Sequence, residues 1–593
     1  MSLRHIGTIA LLFAGGAVNA ASPPPVAEKP WVTASNRHTQ IVIEAQAAFQ
    51  PEDASRAGLV QYDGKAIDLG PNIDARYRAA MQKVLGQLRQ RLAAERDGNV
   101  HQDLEILIEA VNEDIAGSQI NEKYQLPWLD VPLLVFEGQQ SLLQAQLPAE
   151  RRAKALERLQ RYVGLFPGSK PATEQAKARF LERRGKPGLI GPVKAEVEQS
   201  LANVPVYIAG IRKLYEQLKI AGAEPALDAL EKQLNDYAAW ERAEVLPLAR
   251  SDFRLPPELY AYRLKRVGID IDPQLLIQRA QVEFMETRAA MQALAPVVAK
   301  AHGIDASDYR VVIAALKKDT IPNEQLQLRY KAVNGALEDA INKERVVDLP
   351  KRPMIMRLAS EAESAAQPAP HFQPAPLVGN TGEQGQFVLP VGNPSASGEN
   401  EAYDDFNYPA AAWTLSAHEG RPGHELQFTA MVERGVSLAR TLYAFNSVNV
   451  EGWALYAEAE MLPYEPAEGQ MIALQLRLLR AARAMLDPML NLGLISREDA
   501  GKVLSEQVVL SAPMARQELD RYTFNAPGQA GSYFYGYSRI LQLRAETELA
   551  LGDKFDRLAF NNFLLDQGLL PPDLLVKAVR EQFVPARKDA AKK

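Results

Sequence analysis

The chain has 593 residues, 47% hydrophobic and 24% charged, with no cysteine. That balance is of an ordinary soluble globular protein, long enough to bury a core, and it excludes a disulfide framework. Lys plus Arg is 67 against 73 for Asp plus Glu, a formal net charge of −6, which excludes the basic footprint of a nucleic-acid binder.

The N-terminus reads as a secretory signal. Arg4 and His5 precede an apolar stretch from Ile6 to Val18, too short for the roughly 20 residues that a membrane-spanning helix needs. Val18-Asn19-Ala20 then offers a cleavage site after Ala20. No cysteine follows to carry a lipid, and no other long apolar run exists. The expected mature protein is therefore exported, periplasmic or secreted, with no stable membrane anchor and no nucleic-acid partner. The expected organisation is a signal peptide at 1–20, a flexible Pro-rich leader at 21–36, an N-terminal helical lobe at 37–350, a C-terminal lobe at 351–586 and a disordered tail at 587–593.

Helical patterning dominates from about residue 73 to 349. Met81, Val84, Leu85 and Leu88 recur at spacings of three and four within 76–94, as do Leu275, Leu276, Ala280, Phe284 and Met291 within 273–295. Six prolines between Pro350 and Pro376 mark a long irregular connection. Gly385 to Pro390 is a short β-like run, bounded by Gly and Pro. Helical patterns resume near Pro409. The fold class is mainly α: a large helical body of two lobes around a deep cleft, with a small β element.

Of the seven histidines, two stand six residues apart in His418-Glu419-Gly-Arg-Pro422-Gly423-His424. The stretch before them predicts a helix, with Asn407 as its cap and Pro409 in its first turn. Zinc peptidases use His-Glu-x-x-His on a helix, where both imidazoles share a face and the Glu serves as general base. Here the second histidine comes two residues late. At about 100° per residue the two side chains would stand about 120° apart on an unbroken helix. Pro422 and Gly423 supply the means of a break that swings His424 back. A second helix from about Ser447 to Pro463 offers Glu451 as third ligand. Glu458, two turns on and on nearly the same face, would accept a hydrogen bond from a ligand histidine. Two His and one carboxylate form a common catalytic zinc set.

The pairing of His418-Glu419-Gly-Arg-Pro422-Gly423-His424-Glu-Leu-Gln427 with Glu451-Gly452-Trp453-Ala454-Leu-Tyr456-Ala-Glu458 resembles the bacterial family called domain of unknown function 885, grouped with zincin-type metallopeptidases. Arg521-Tyr522, Pro527-Gly528-Gln529-Ala530, Tyr533 and Gly536 extend the likeness, as do Leu551-Gly-Asp-Lys-Phe555 and Gly568. The sequence departs from the family at Asn561, where a His is expected. More distantly the layout is similar to helical gluzincins such as thimet oligopeptidase and angiotensin-converting enzyme, which supply tyrosines to the reacting carbonyl.

The resulting expectation is a zinc-dependent metallopeptidase acting on short peptides. Zn2+ is held by His418, His424 and Glu451, and Glu419 is the general base. Tyr533 donates to the developing oxyanion, with Tyr537 one turn away as the alternative. Phe387 and Val388 would lie on an edge strand that pairs with an extended peptide. Arg521, Arg539 or Arg544 could hold a substrate carboxylate. The alternatives are a non-catalytic helical peptide-binding protein and a zinc hydrolase of a non-peptide amide or ester. Substrate length and oligomeric state are not legible from the chain.

Overall fold

Apolar residues at spacings of three and four become helices almost wherever they occur. The computed structural model describes residues 29–380, 382–390, 393–394, 400–401 and 404–590. Helix α1 (Pro30–Ala47) opens the described chain. The expected leader therefore ends at Pro30 rather than residue 36, because proline at a first helical turn forfeits no hydrogen bond. The signal segment lies outside the described residues. Helix α2 (Ile73–Ala94) buries Met81, Val84, Leu85 and Leu88 on one face. Helix α3 (Gly98–Tyr124) is capped by Asp97, which accepts from the Asn99 and Val100 amides. Helix α4 (Pro273–His302) runs past the expected end at Ala295 and buries Leu276, Ala280, Phe284 and Met291, while Leu275 is 39% exposed. Helix α5 (Asn323–Glu344) follows.

The Pro-rich connection is more ordered than its composition implies. It holds strand β1 (Ile355–Leu358), a short helix over Glu361–Ala366 closed by a Ser360/Glu363 capping box, and strand β2 (His371–Gln373). The predicted β-like run is strand β3 (Gln386–Leu389). The sheet order is β1-β3-β2, with β3 parallel to β1 and antiparallel to β2. This corrects the expectation for Phe387 and Val388. They lie on the central strand, both of whose sides are already paired, and both are fully buried. No peptide can add to β3; the edge strands of this sheet are β1 and β2.

The remaining helices carry the site: α6 (Ala411–Glu419), α7 (His424–Arg434), α8 (Ser447–Met461), α9 (Ala467–Asn491) and α10 (Ser532–Leu551). A final helix over Val584–Ala590 occupies much of the expected tail. Two apolar cores result. The smaller one gathers residues between Leu69 and Val245, plus Ala362. The larger one joins α2, α3, α4 and α5 to the helices after 350, largely because α4 packs along α9. The core thus does not divide at residue 350. Among the described residues, no helix is long and apolar enough to cross a membrane.

Candidate metal centre

Helix α6 stops at Glu419 and α7 starts at His424, so the predicted break is present. Asn407 does not cap α6: the helix begins at Ala411 with no side-chain cap, and the Asn407 carbonyl instead accepts from the Ile321 amide. The break depends on Gly423. A Cβ there would lie 1.9 Å from the His418 carbonyl oxygen and 2.4 Å from that of Ala417, so only glycine lets α7 fold back this closely. The turn, which contains a cis Arg421–Pro422 peptide, is held from both sides. Trp453 Nε1 of α8 donates to the Pro422 carbonyl (3.0 Å), and buried Arg421 donates to Glu425 (2.5 Å) and to the Arg352 carbonyl (2.6 Å). The two imidazoles consequently stand 4.7 Å apart between centroids, at 82°.

Helix α8 brings the third group. Asn446 caps it by accepting from the Asn449 amide. Glu451 Oε2 lies 3.5 Å from His418 Nε2 and 3.3 Å from His424 Nε2. One ligand atom from each of His418, His424 and Glu451 falls within 4.8 Å of the others. Seven residues on, Glu458 meets His418 Nδ1 at 2.6 Å and accepts from Thr414 Oγ1 (3.1 Å) and Arg480 Nη2 (3.3 Å). A carboxylate at Nδ1 favours the proton there, so that in the neutral ring Nε2 is the atom left to bind an ion.

The cluster is buried but not saturated. His424 Nδ1 and Glu451 Oε2 are both buried without a hydrogen-bond partner, a condition that buried polar atoms rarely tolerate unless an ion or water completes it. Burial by itself would lower the His418 imidazole, but Glu419, Glu451 and Glu458 push it up to about 9. Burial would raise Glu451, yet the two imidazoles hold it well below the usual carboxylate range. Burial raises the Glu419 carboxyl, against the opposing pull of both histidines. Two imidazole nitrogens and a carboxylate suit a zinc-type ion by ligand chemistry.

Glu419 Oε1 lies 3.8 Å from His418 Nε2, and its Oε2 accepts from the Phe372 amide at 2.8 Å. That contact brings β2, one of the sheet's two edge strands, to the cluster. Helix α10 reaches the cluster through glycine-to-glycine packing. A Cβ on Gly536 would lie 1.9 Å from the Val448 carbonyl oxygen, and one on Gly452 would lie 2.6 Å from the Gly536 carbonyl carbon. The Tyr533 ring consequently lies nearly parallel to His418, 6.2 Å between centroids at 12°. Burial raises the Tyr533 hydroxyl, so it stays a donor. Its oxygen accepts from Arg521 Nη2 (2.9 Å).

Tyr537 is buried one turn further and faces the Arg477 guanidinium, 5.3 Å from its ring centroid. Arg539 binds Asp573 (2.6 Å) and the Tyr535 hydroxyl (2.9 Å), and Arg544 pairs with Glu460 and Tyr456. Both are thus engaged in pairs outside the cluster, unlike Arg521. Asn561 is fully buried, accepting from Tyr456 and donating to the Val346 carbonyl, so its amide ties helices together. Sequence reasoning missed Thr414, Arg480 and the Phe372 amide. Thr414 precedes His418 by one helical turn and was in principle legible; the other two arrive by tertiary packing alone.

Two solved structures share the fold. A protein from Colwellia psychrerythraea, provisionally named as a lipoprotein, superposes with a TM-score of 0.74 at 18% identity, covering 94% of this chain and 99% of that one. A provisionally named lipoprotein of unknown function from Shewanella oneidensis gives 0.69 at 19% identity, covering 93% and 100%. At such identity the likeness is one of fold alone. Comparison with curated proteins finds no match. The family described as bacterial protein of unknown function DUF885 matches residues 51–579, nearly the whole described chain, and this protein belongs to it.

Proposed function

We propose that the protein is a zinc-dependent metallopeptidase acting on short peptides. The observation that carries it is the convergence of His418, His424 and Glu451 within 4.8 Å, with Glu419 beside them and two of the cluster's buried polar atoms unpartnered. A zinc ion held by these three side chains would supply Lewis acidity, polarising a carbonyl and acidifying water. Glu419 takes a proton from the attacking water as its oxygen bonds to the carbonyl carbon, then delivers it to the amine as the C–N bond breaks. Tyr533 donates its hydroxyl proton in a hydrogen bond to the oxygen on which negative charge develops, and Arg521, donating to the Tyr533 oxygen, makes it a stronger donor. Glu458 fixes the His418 tautomer.

Export is part of the same proposal. It is supported by the signal-like N-terminus and by the provisional lipoprotein names of the two fold relatives, although this chain has no cysteine to bear a lipid.

The test is elemental analysis followed by peptide-library cleavage. The wild type should carry about one zinc per chain, His424→Ala none, and Glu419→Gln the full zinc with turnover lowered by ~10²–10⁴-fold. A wild type that refuses zinc when it is offered, or a zinc-loaded wild type that cleaves no peptide, would sink the proposal and leave a non-catalytic peptide-binding protein or a hydrolase of another amide or ester.

A further inference from the structure

Three guanidinium groups surround the Tyr533 ring: Arg483 at 4.6 Å, Arg521 at 5.1 Å and Arg480 at 5.8 Å from its centroid. Two are matched by carboxylates. Arg480 meets Glu458 at 3.3 Å, and Arg483 grips Glu518 through two bonds of 2.7 and 2.5 Å. Arg521 differs. Its Nε and Nη2 donate to Gln529 Oε1 (2.9 and 2.5 Å) and its Nη2 also to the Tyr533 hydroxyl (2.9 Å). Both partners are neutral, and among the described residues it forms no ion pair.

These neutral partners are themselves fixed. Gln529 donates to Ser447 Oγ (2.8 Å) at the start of α8. The turn that carries it is clamped by buried Asp487, which accepts from the Gly528 amide (2.9 Å) and the Ala530 amide (3.2 Å). Arg521 is thus held in place with no carboxylate in direct contact, although Glu518 and Glu451 lie within electrostatic reach. A guanidinium has five N–H donors in a planar fork, and both donors of Nη1 are free of protein partners among the described residues. A partly buried cation with unused donors is unfavourable on its own and well suited to a carboxylate. Its guanidinium and the His418 imidazole lie on one aromatic ring, Tyr533, so cation and metal cluster are no more than about three residues of extended chain apart.

We infer that Arg521 anchors the free C-terminal carboxylate of the substrate, so that the site trims short peptides from their carboxyl end. This rests on the metallopeptidase function proposed above, but the anchoring can be measured without turnover. The probe is a panel of N-acyl dipeptides and their C-terminal amides. Binding is measured by calorimetry on zinc-loaded Glu419→Gln, and kcat/KM on the wild type. The free acids should bind ~10–100-fold more tightly than the amides, the range for a charge-assisted hydrogen-bonded pair. Adding Arg521→Gln should bring the two within ~3-fold at unchanged zinc content. Arg521→Lys, which keeps the charge and loses the fork, should retain part of the preference and guards against a folding defect in the Gln variant. Amides binding as tightly as acids, no binding of either, or a preference that survives Arg521→Gln would each overturn the inference. Acid-selective binding without cleavage would keep the carboxylate site and sink the peptidase. Equal cleavage of acid and amide would do the reverse.

Discussion

Asp103 is a buried and Glu451 a mostly buried carboxylate, each surrounded by basic or polar side chains, and they are built in opposite ways. Asp103, 1% exposed, accepts from Ser35 Oγ (2.6 Å), Ser437 Oγ (2.5 Å) and Arg440 Nε (2.8 Å). Arg440 in turn uses Gln102 and Gln567, and stacks on Trp31. Every element there finds a partner, and together they staple α1 and α3 to the segment before α8. Glu451 faces two imidazole nitrogens at 3.5 and 3.3 Å without a hydrogen bond to either at Oε2. Saturated networks hold a fold; a buried cluster with open valence holds capacity for something the chain does not supply.

The contrast can be broken by asking which variants cost stability and which cost metal. Asp103→Ala leaves Arg440 buried and uncompensated and should destabilise by about 3–5 kcal/mol in denaturant titration, while zinc per folded chain stays at the wild-type value. Loss of zinc without loss of stability would remove the distinction between the two sites.

Glu518 sharpens the structural side through pH. Burial would raise its carboxyl, but Arg483, helped by Arg521 and the Tyr522 hydroxyl, lowers it from 4.5 to about 2. A carboxyl depressed on folding contributes stability above its unfolded value, and that contribution is lost as pH falls through the folded value. The wild type should therefore lead Glu518→Gln by up to about 3 kcal/mol at neutral pH, with the gap closing between about pH 4.5 and 2. Parallel stability curves for the two proteins down to pH 2 would show that the pair contributes nothing.

The smallest effect belongs to the position that joins both worlds. Glu458 is saturated like Asp103 yet touches a ligand-type histidine. Glu458→Gln should weaken zinc binding ~10–100-fold in competition with a chelator. An unchanged affinity would make Glu458 a purely structural acid.

Much of this site was legible because it is written in short-range chemistry. The residue types of His418, Glu419, His424 and Glu451, the helix-breaking Pro422-Gly423 between the histidines, and the seven-residue step to Glu458 are local facts, and helix geometry converts them into directions. The same local rules misplaced the cap of α6: the helix begins at Ala411, so Ala410 and not Asn407 stands at its N-cap position. They also took 350–380 as wholly irregular, since strands of three or four residues carry too little periodicity to read.

By itself, then, the chain determined the mainly helical class, the two segments that carry the candidate ligands and the break that lets them meet, since periodicity and backbone freedom are properties of neighbouring residues. Only the tertiary structure decided that β3 is a central strand rather than an edge, that Arg539 and Arg544 are engaged elsewhere, and that Arg521 stands beside Tyr533 with no carboxylate in direct contact. Strand order and ion pairing join residues far apart in sequence, and only the packing of α8 against α10 and of β3 between its neighbours selects among the partners that the sequence offers.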